Sequence, residues 1–147
     1  MSNSATAVTA WEALFRAQVS VMRYLNAEFP SGELSLNEYD VLFNLSLQPG
    51  RRLRIRDLNR HLLLTQPSVS RLVDRLAARG LVAKAQDADD ARGIVVELSD
   101  EGYELFRHVA RSHIKSINAR VGEALTTQEL TTLTELCDKL RVGGPPA

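Results

Sequence analysis

The chain has 147 residues, 44% of them hydrophobic and 24% charged, with 18 basic against 18 acidic side chains and a formal net charge of zero. That length and balance fit one soluble globular domain, or two small ones sharing a core, and no repeat or low-complexity segment is visible. No apolar run approaches the ~20 residues needed to cross a bilayer, and a single cysteine, Cys137, excludes an internal disulfide framework and fits a reducing cytoplasm.

The opening, MSNSATAVTAWEALF, lacks a basic start followed by an apolar core, so no signal peptide is expected. Met1–Thr6 and Gly143–Ala147 are small or Pro/Gly-rich and are expected to fray. A first helix is expected from about Thr9 to Phe29, because Trp11, Leu14, Phe15, Gln18, Met22, Leu25 and Phe29 recur at three- and four-residue intervals. Pro30, Ser31 and Gly32 stop it. Ser35 and Glu38 form a capping box for a second helix, which runs through Tyr39, Leu42, Phe43 and Leu47 to the break at Gln48–Gly50.

A short third helix, about Ile55 to Leu63, turns Leu58 and Leu62 inward. Thr65 then caps a fourth, with Pro67 in its first turn, where the missing N–H costs nothing. Val69, Leu72, Val73 and Leu76 form its core stripe, and Gly80 supplies a left-handed C-terminal residue. The period then changes. LVAKA and GIVVELS are β-prone runs separated by the acidic loop QDADDAR, which reads as a two-stranded hairpin. Ser99 caps the next helix, with Asp100 and Glu101 in its first turn and Phe106, Val109, Ala110, Ile114, Ile117 and Val121 as its stripe. Thr126 and Glu129 open a last helix carrying Leu130, Leu133, Cys137 and Leu140. The expected order is α–α–α–α–β–β–α–α. The long terminal helices have more apolar face than the middle unit can cover, so they are expected to pack on each other and on a second subunit.

The neutral total hides an uneven distribution. From Arg51 to Arg79 there are eight arginines (51, 52, 54, 56, 60, 71, 75 and 79) against Asp57 and Asp74, so this segment is +6 and the rest of the chain −6. A basic patch of this kind is the footprint of a phosphate backbone. Two helices joined by a tight turn, the second exposing Gln, Ser and Arg, match a helix-turn-helix. Arg71 and Arg75 can offer fork-shaped donors to guanine, and Gln66 can bond to adenine. Ser68 and Ser70, with Pro67 in the same first turn, are compact enough to let the helix backbone approach. Arg51, Arg52, Arg54 and Arg56 are expected to hold phosphates. In the hairpin tip, Asp90 and Arg92 are spaced to pair and to turn the guanidinium outward as a minor-groove probe. An incidental ion pair in a surface turn would have the same spacing.

The block from LSLNEYDVLFNL through LRIRDLNRHLLLTQPSVSRLVDRLAARGLV to DADDARGIVVELSDEG resembles the MarR family of transcriptional regulators. The likeness covers Leu34–Gly102; its most specific pieces are SRLVDRL, GLV, the D-x-R of the loop and LSDEG. It implies a mainly α (α+β) fold: a winged helix-turn-helix with a two-stranded wing, flanked by N- and C-terminal dimerisation helices. The corresponding segments are 1–33, 34–99 and 100–147. It further implies a homodimer with a recognition helix at Gln66–Arg79, a wing at Gln86–Gly93 and a pseudo-palindromic duplex operator. Family repression is usually relieved by a small phenolic or other anionic ligand, or by oxidation of a cysteine. Leu63 stands at a turn position where the family often has glycine, and Asn59 where it often has alanine.

Family ligands usually sit between the DNA-binding lobe and the dimer helices. Trp11, Phe15, Asp40 and Phe43 are candidates to line such a pocket, with Arg71 or Lys84 as the cation. Trp11, Asp40 and Arg71 also resemble residues of the urate-responsive branch, in which Lys84 falls where arginine is usual. The plainer assignment puts Trp11 and Phe15 in the core, pairs Asp40 with an arginine and leaves Arg71 to DNA. Cys137 lies on an apolar stripe and is expected to be buried, although a thiol near Lys139 and Arg141 could serve as a redox switch. His61, His108 and His113 show no metal spacing, and no cofactor is implied. With no Gly-rich phosphate loop or nucleophile elbow, an enzyme is not expected. The expected function is a ligand-released repressor in a bacterial or archaeal type of cytoplasm, at the nucleoid when bound. The rival is a winged-helix adaptor or anti-repressor that binds protein and reads no duplex.

Overall fold

The computed structural model describes residues 4–143, which form two compact units: residues 29–112, and residues 4–28 with 113–143. The chain order is α1 (Ser4–Glu28), α2 (Leu36–Ser46), a 3-10 turn (Pro49–Arg51), β1 (Arg52–Arg54), α3 (Ile55–Arg60), α4 (Gln66–Ala78), β2 (Val82–Gln86), β3 (Ile94–Leu98), α5 (Asp100–Ile117), a π turn (Asn118–Gly122) and α6 (Thr127–Val142).

Local chemistry sets most boundaries in residues 29–112. Ser35 Oγ accepts the Glu38 amide at 3.1 Å while Glu38 Oε1 accepts the Ser35 amide at 2.9 Å, so α2 starts with two amides satisfied. Ser99 starts α5 with one amide satisfied: its Oγ accepts the Gly102 amide at 3.0 Å and donates to the Gly80 carbonyl at 2.7 Å. The core is one cluster in which Leu42, Leu45, Leu58, Val69, Val73, Leu76 and Val96 are wholly buried. Each such side chain stabilises the fold by about 1.5–3 kcal/mol relative to exposure. An aromatic run extends the cluster from Phe29 through Tyr39 to Phe106, Phe43 and Tyr103, with ring centroids 5.2–6.3 Å apart.

The hairpin carries a third strand that the sequence did not announce. The sheet is antiparallel in the order β1-β3-β2, with Leu53 opposite Val96 and Lys84 also opposite Val96 on the other side. Three residues are too short for a periodic signal, but the alternation in Arg52–Leu53–Arg54 is that of an edge strand. Helix α3 ends at Arg60, three residues earlier than expected; His61 turns back, Leu62 is half-buried and Leu63 is 96% exposed.

In the other unit, α1 starts at Ser4, so Ser4–Thr6 are helical and not frayed. Thr9, where the helix was expected to begin, lies inside it, its hydroxyl donating to the Ala5 carbonyl at 2.9 Å one turn back. Positions 1–3 and 144–147 lie outside the described residues. The Arg120 guanidinium in the π turn donates to Ser20 Oγ on α1 at 2.8 Å. Trp11 and Phe15 pack on each other but are 60% and 53% exposed, so the chain's own core does not contain them. Cys137 is likewise exposed, along with Leu136 and Leu140: the stripe exists, but nothing among the described residues covers it.

Two measurements check this packing. A Cβ on Gly102 would stand 2.0 Å from the Leu81 carbonyl oxygen, whereas one on Gly80, at φ +73°, would meet only the flexible Glu101 carboxylate, at 3.4 Å. Gly102→Ala is expected to destabilise by about 3 kcal/mol or more, through overpacking against backbone, and Gly80→Ala by about 1–2 kcal/mol, through its left-handed backbone alone; urea unfolding ranks them. Asp40, half-buried on α2 and held by no ion pair among the described residues, has its pKa raised by burial to about 6. A raised acid favours the folded state while protonated, so that contribution is full below about 4 and lost as pH rises through about 6. Thermal unfolding of Asp40→Asn should therefore be flatter than wild type across that window, with the larger gain at pH 7.

Candidate nucleic-acid interface

Helix α4 is built to be held from one side. Thr65, in an extended conformation before the first turn, accepts the Ser68 amide on its hydroxyl at 3.3 Å, and Pro67 occupies the first turn. Val69, Leu72, Val73 and Leu76 are 0–4% exposed and fasten the helix to the core. On the opposite side Gln66, Pro67, Arg71, Asp74 and Arg75 are exposed, while Ser68 and Ser70 are half-buried. A short hydrogen-bond chain orders this face: Thr65 Oγ1 donates to Ser68 Oγ at 2.9 Å, and Arg71 Nη2 donates to the same oxygen at 3.3 Å. Arg71 thereby points along the helix toward its N-terminus.

The arginines divide sharply. Arg51 adopts φ +53° and lays its guanidinium 3.6 Å from the centroid of the Tyr103 ring, with Asp100 at 4.0 Å. Arg54 Nε pairs with Asp87 Oδ2 at 2.5 Å, Arg60 with Asp57 at 3.5 Å, and Arg79 with Glu38 at 3.8 Å. By contrast, no ion pair among the described residues holds Arg52, Arg56, Arg71, Arg75 or Arg92, and all five are exposed. Four of the eight basic side chains in the +6 segment are therefore engaged within the fold.

The wing tip differs from the pairing its spacing suggests. Asp90 Oδ1 accepts the backbone amide of Arg92 at 3.0 Å, and no ion pair joins the two side chains among the described residues. An Asx turn satisfies the carboxylate locally, so the Arg92 guanidinium stays exposed without it. Asp87, 9% exposed, sits at the base of the tip and accepts the Asp89 amide at 3.0 Å. That amide first, and then the guanidinium of Arg54 with Arg52 beyond it, outweigh burial and hold the Asp87 carboxyl below the ordinary carboxylate range.

Arg54, Arg56, Gln66, Asp90 and Arg92, with Gly93 and Ile94, line one cleft of about 440 Å³ between the start of α3, the N-terminus of α4 and the wing. Its donors come from three separate stretches of sequence. Arg51, Arg71 and Arg75 are not part of its lining. The candidate effector residues divide between the two units. Trp11 and Phe15 belong to one unit and Asp40, Phe43, Arg71 and Lys84 to the other. Lys84 Nζ is engaged by Asp74 Oδ1 of α4 at 2.5 Å, and Phe43 stacks against Tyr39. Among the described residues no group of three His, Cys, Asp or Glu side chains could hold a metal ion, and no helix is long and apolar enough to cross a membrane.

This arrangement agrees with what the chain resembles. The model of the MarR family matches residues 33–93, a span that contains α2, the helix-turn-helix and the wing tip. Sco3205 of Streptomyces coelicolor, a MarR family transcriptional regulator solved in complex with DNA, is 27% identical and superposes with a TM-score of 0.80 over 97% of this chain and 90% of that one. The PcaV transcriptional regulator of the same organism, solved with its natural ligand, is 26% identical, with a TM-score of 0.69 over 85% of this chain and 86% of its own. The homoprotocatechuate degradative operon repressor of Escherichia coli is 22% identical over 127 residues, which are 86% of this chain and 84% of that protein. With its winged helix, the uncovered polar side of α4 and these likenesses, the chain resembles the MarR family of transcriptional regulators, most specifically over residues 33–93.

Proposed function

We propose that this protein is a homodimeric repressor, and not an enzyme, that reads a pseudo-palindromic duplex and is released by a small anionic aromatic ligand. One observation carries the reading: the polar side of α4 is bare, with Arg71 and Arg75 exposed, while the other side is locked into the core. Base edges of a major groove match that side in chemistry and in width. Arg71, Arg75 and Gln66 read bases; Pro67, Ser68 and Ser70 let the backbone come close. The cleft takes the adjoining phosphate strand between Arg56 and Arg92, and Arg92 continues toward the minor groove, with Asp90 shaping its turn. Arg52 adds a phosphate contact from the edge strand. Arg51 and Arg54, held by Tyr103 and Asp87, act through the fold.

The terminal segments, 1–33 and 100–147, make the dimer, and 34–99 the DNA-binding lobe. Exposed Trp11, Phe15, Leu136 and Leu140 support this, since two amphipathic helices this apolar need a cover in water. A small-molecule ligand is supported by PcaV, solved with its natural ligand, and an aromatic acid by the homoprotocatechuate degradative operon that the Escherichia coli relative represses. Asp40 and Phe43, neighbours on α2 within residues 29–112, are the side chains we assign to that ligand. A protein of this kind works in the cytoplasm, at the nucleoid when bound.

Duplex binding across a salt series tests the reading. A DNA reader loses affinity steeply with added salt, whereas an adaptor binds no duplex specifically. Arg71→Ala should weaken binding to the selected duplex by about 1–3 kcal/mol and blur base preference. Arg56→Ala should weaken all sequences alike and lower the salt slope by about one. Equal losses on selected and random duplex for Arg71→Ala would remove it from base reading. Leu140→Glu should shift sedimentation toward monomer and abolish tight operator binding; an unchanged dimer would place the interface elsewhere.

A further inference from the structure

Arg54 faces the cleft and carries the right charge for a phosphate, yet its guanidinium is turned to a carboxylate that is itself nine-tenths buried. Asp87 is the node of the wing's base. Its backbone amide donates to the Gly93 carbonyl at 2.9 Å, closing the loop, and its Oδ1 accepts the Asp89 amide at 3.0 Å, shaping the loop from within. The remaining oxygen, Oδ2, goes to Arg54, the residue that joins β1 to α3. Gly93 is close by: a Cβ there would stand 3.2 Å from Asp87 Cβ, so the node is tightly packed.

We propose that Arg54 is a positioning residue: through Asp87 it latches the wing to the start of α3 and so sets where Arg92 stands relative to the recognition helix. The inference rests on the DNA-binding reading for its consequence, but the latch itself does not require DNA. The other tether, Lys84 to Asp74, joins β2 to α4 at the same distance, but its side chains are 39% and 61% exposed and solvent screens it. At the Arg54–Asp87 pair the corresponding figures are 33% and 9%. Removing one partner there leaves a charge short of water and of its counter-ion.

The two roles for Arg54 predict opposite signs. If Arg54 is a phosphate contact restrained by Asp87, then Asp87→Asn frees it and tightens binding. If it is a latch, Asp87→Asn weakens binding, although Asn can still accept the Asp89 amide. The full-length protein is given a pool of random duplexes, and the recovered duplex becomes the probe, with its flanks made A·T-rich or G·C-rich. Asp87→Asn and Arg54→Gln should each lose roughly tenfold on the A·T-flanked probe, about 1.4 kcal/mol, and much of the preference between flanks. Adding Arg92→Ala to either should cost no more than Arg92→Ala alone, and Arg54→Lys should recover part of the preference. Tighter or unchanged binding by Asp87→Asn overturns the proposal. So does an equal loss by Arg54→Gln on both flanks with the salt slope lower by about one.

Amide hydrogen exchange without DNA decides the latch independently. In both variants the Asp89 and Gly93 amides should exchange at least about fivefold faster while α4 amides keep their rates, which also shows that the core is folded. Unchanged wing exchange overturns the latch. A wild-type protein that recovers no duplex would instead sink the repressor reading, and the exchange comparison would still stand.

Discussion

A reading helix must be fixed in place without being covered, and the structure is organised around that conflict. Thirteen residues in isolation would not hold a helix in water. Stability therefore has to come from the four buried side chains on one side of α4, with the Thr65 cap at its start. Truncating Leu72 or Leu76 to Ala would cost about 2–5 kcal/mol. The bare side contributes nothing to holding the helix, which is why it can carry Gln, Ser and Arg chosen for a partner.

The same division runs through the arginines. Guanidinium groups at 51, 54, 60 and 79 meet carboxylates of the fold, and Arg51 also lies over an aromatic ring. Arg51 needs that contact, since a left-handed backbone at a residue with a side chain costs about 1–2 kcal/mol. The remaining four of the segment stand in solvent. A count of basic residues therefore overstates the surface available to phosphates, and the outward set is narrower and better placed than the +6 total suggests.

Much of the fold was legible because its signals are local. The Ser35–Glu38 and Thr126–Glu129 boxes, the Thr65 cap, the α4 stripe and the left-handed Gly80 each follow from neighbours within four residues. What escaped depends on distant partners. Strand β1 is a strand only because β3 lies beside it. Gly102 reads as an ordinary helix position until the Leu81 carbonyl is found pressed against it. Arg54 reads as a phosphate ligand until Asp87, thirty-three positions later, is found at its guanidinium. Cys137 and Trp11 were misplaced for a related reason: an apolar stripe says that a side chain wants cover, not which chain provides it. The candidate site was legible as a face of α4 and not as a cleft, because Arg56, Gln66 and Arg92 converge only in the tertiary structure.

The acidic residues resolve the remaining contradiction, a neutral protein proposed to bind a polyanion. An acidic wing tip would repel phosphates if its charges faced outward. Asp87 is turned to Arg54 and to a backbone amide, and Asp90 to the amide of Arg92, so two of the three aspartates serve the loop's own geometry. Asp74 is the harder case, because it stands exposed on α4 between Arg71 and Arg75. Lys84 reaches across from β2 to meet it, which neutralises the one negative charge on the reading face and ties helix to hairpin. The lysine that looked like a cation for an acidic ligand is thus already engaged. Opposite charges placed within the fold let the outward charge be positive where the duplex lies, whatever the sum over the chain.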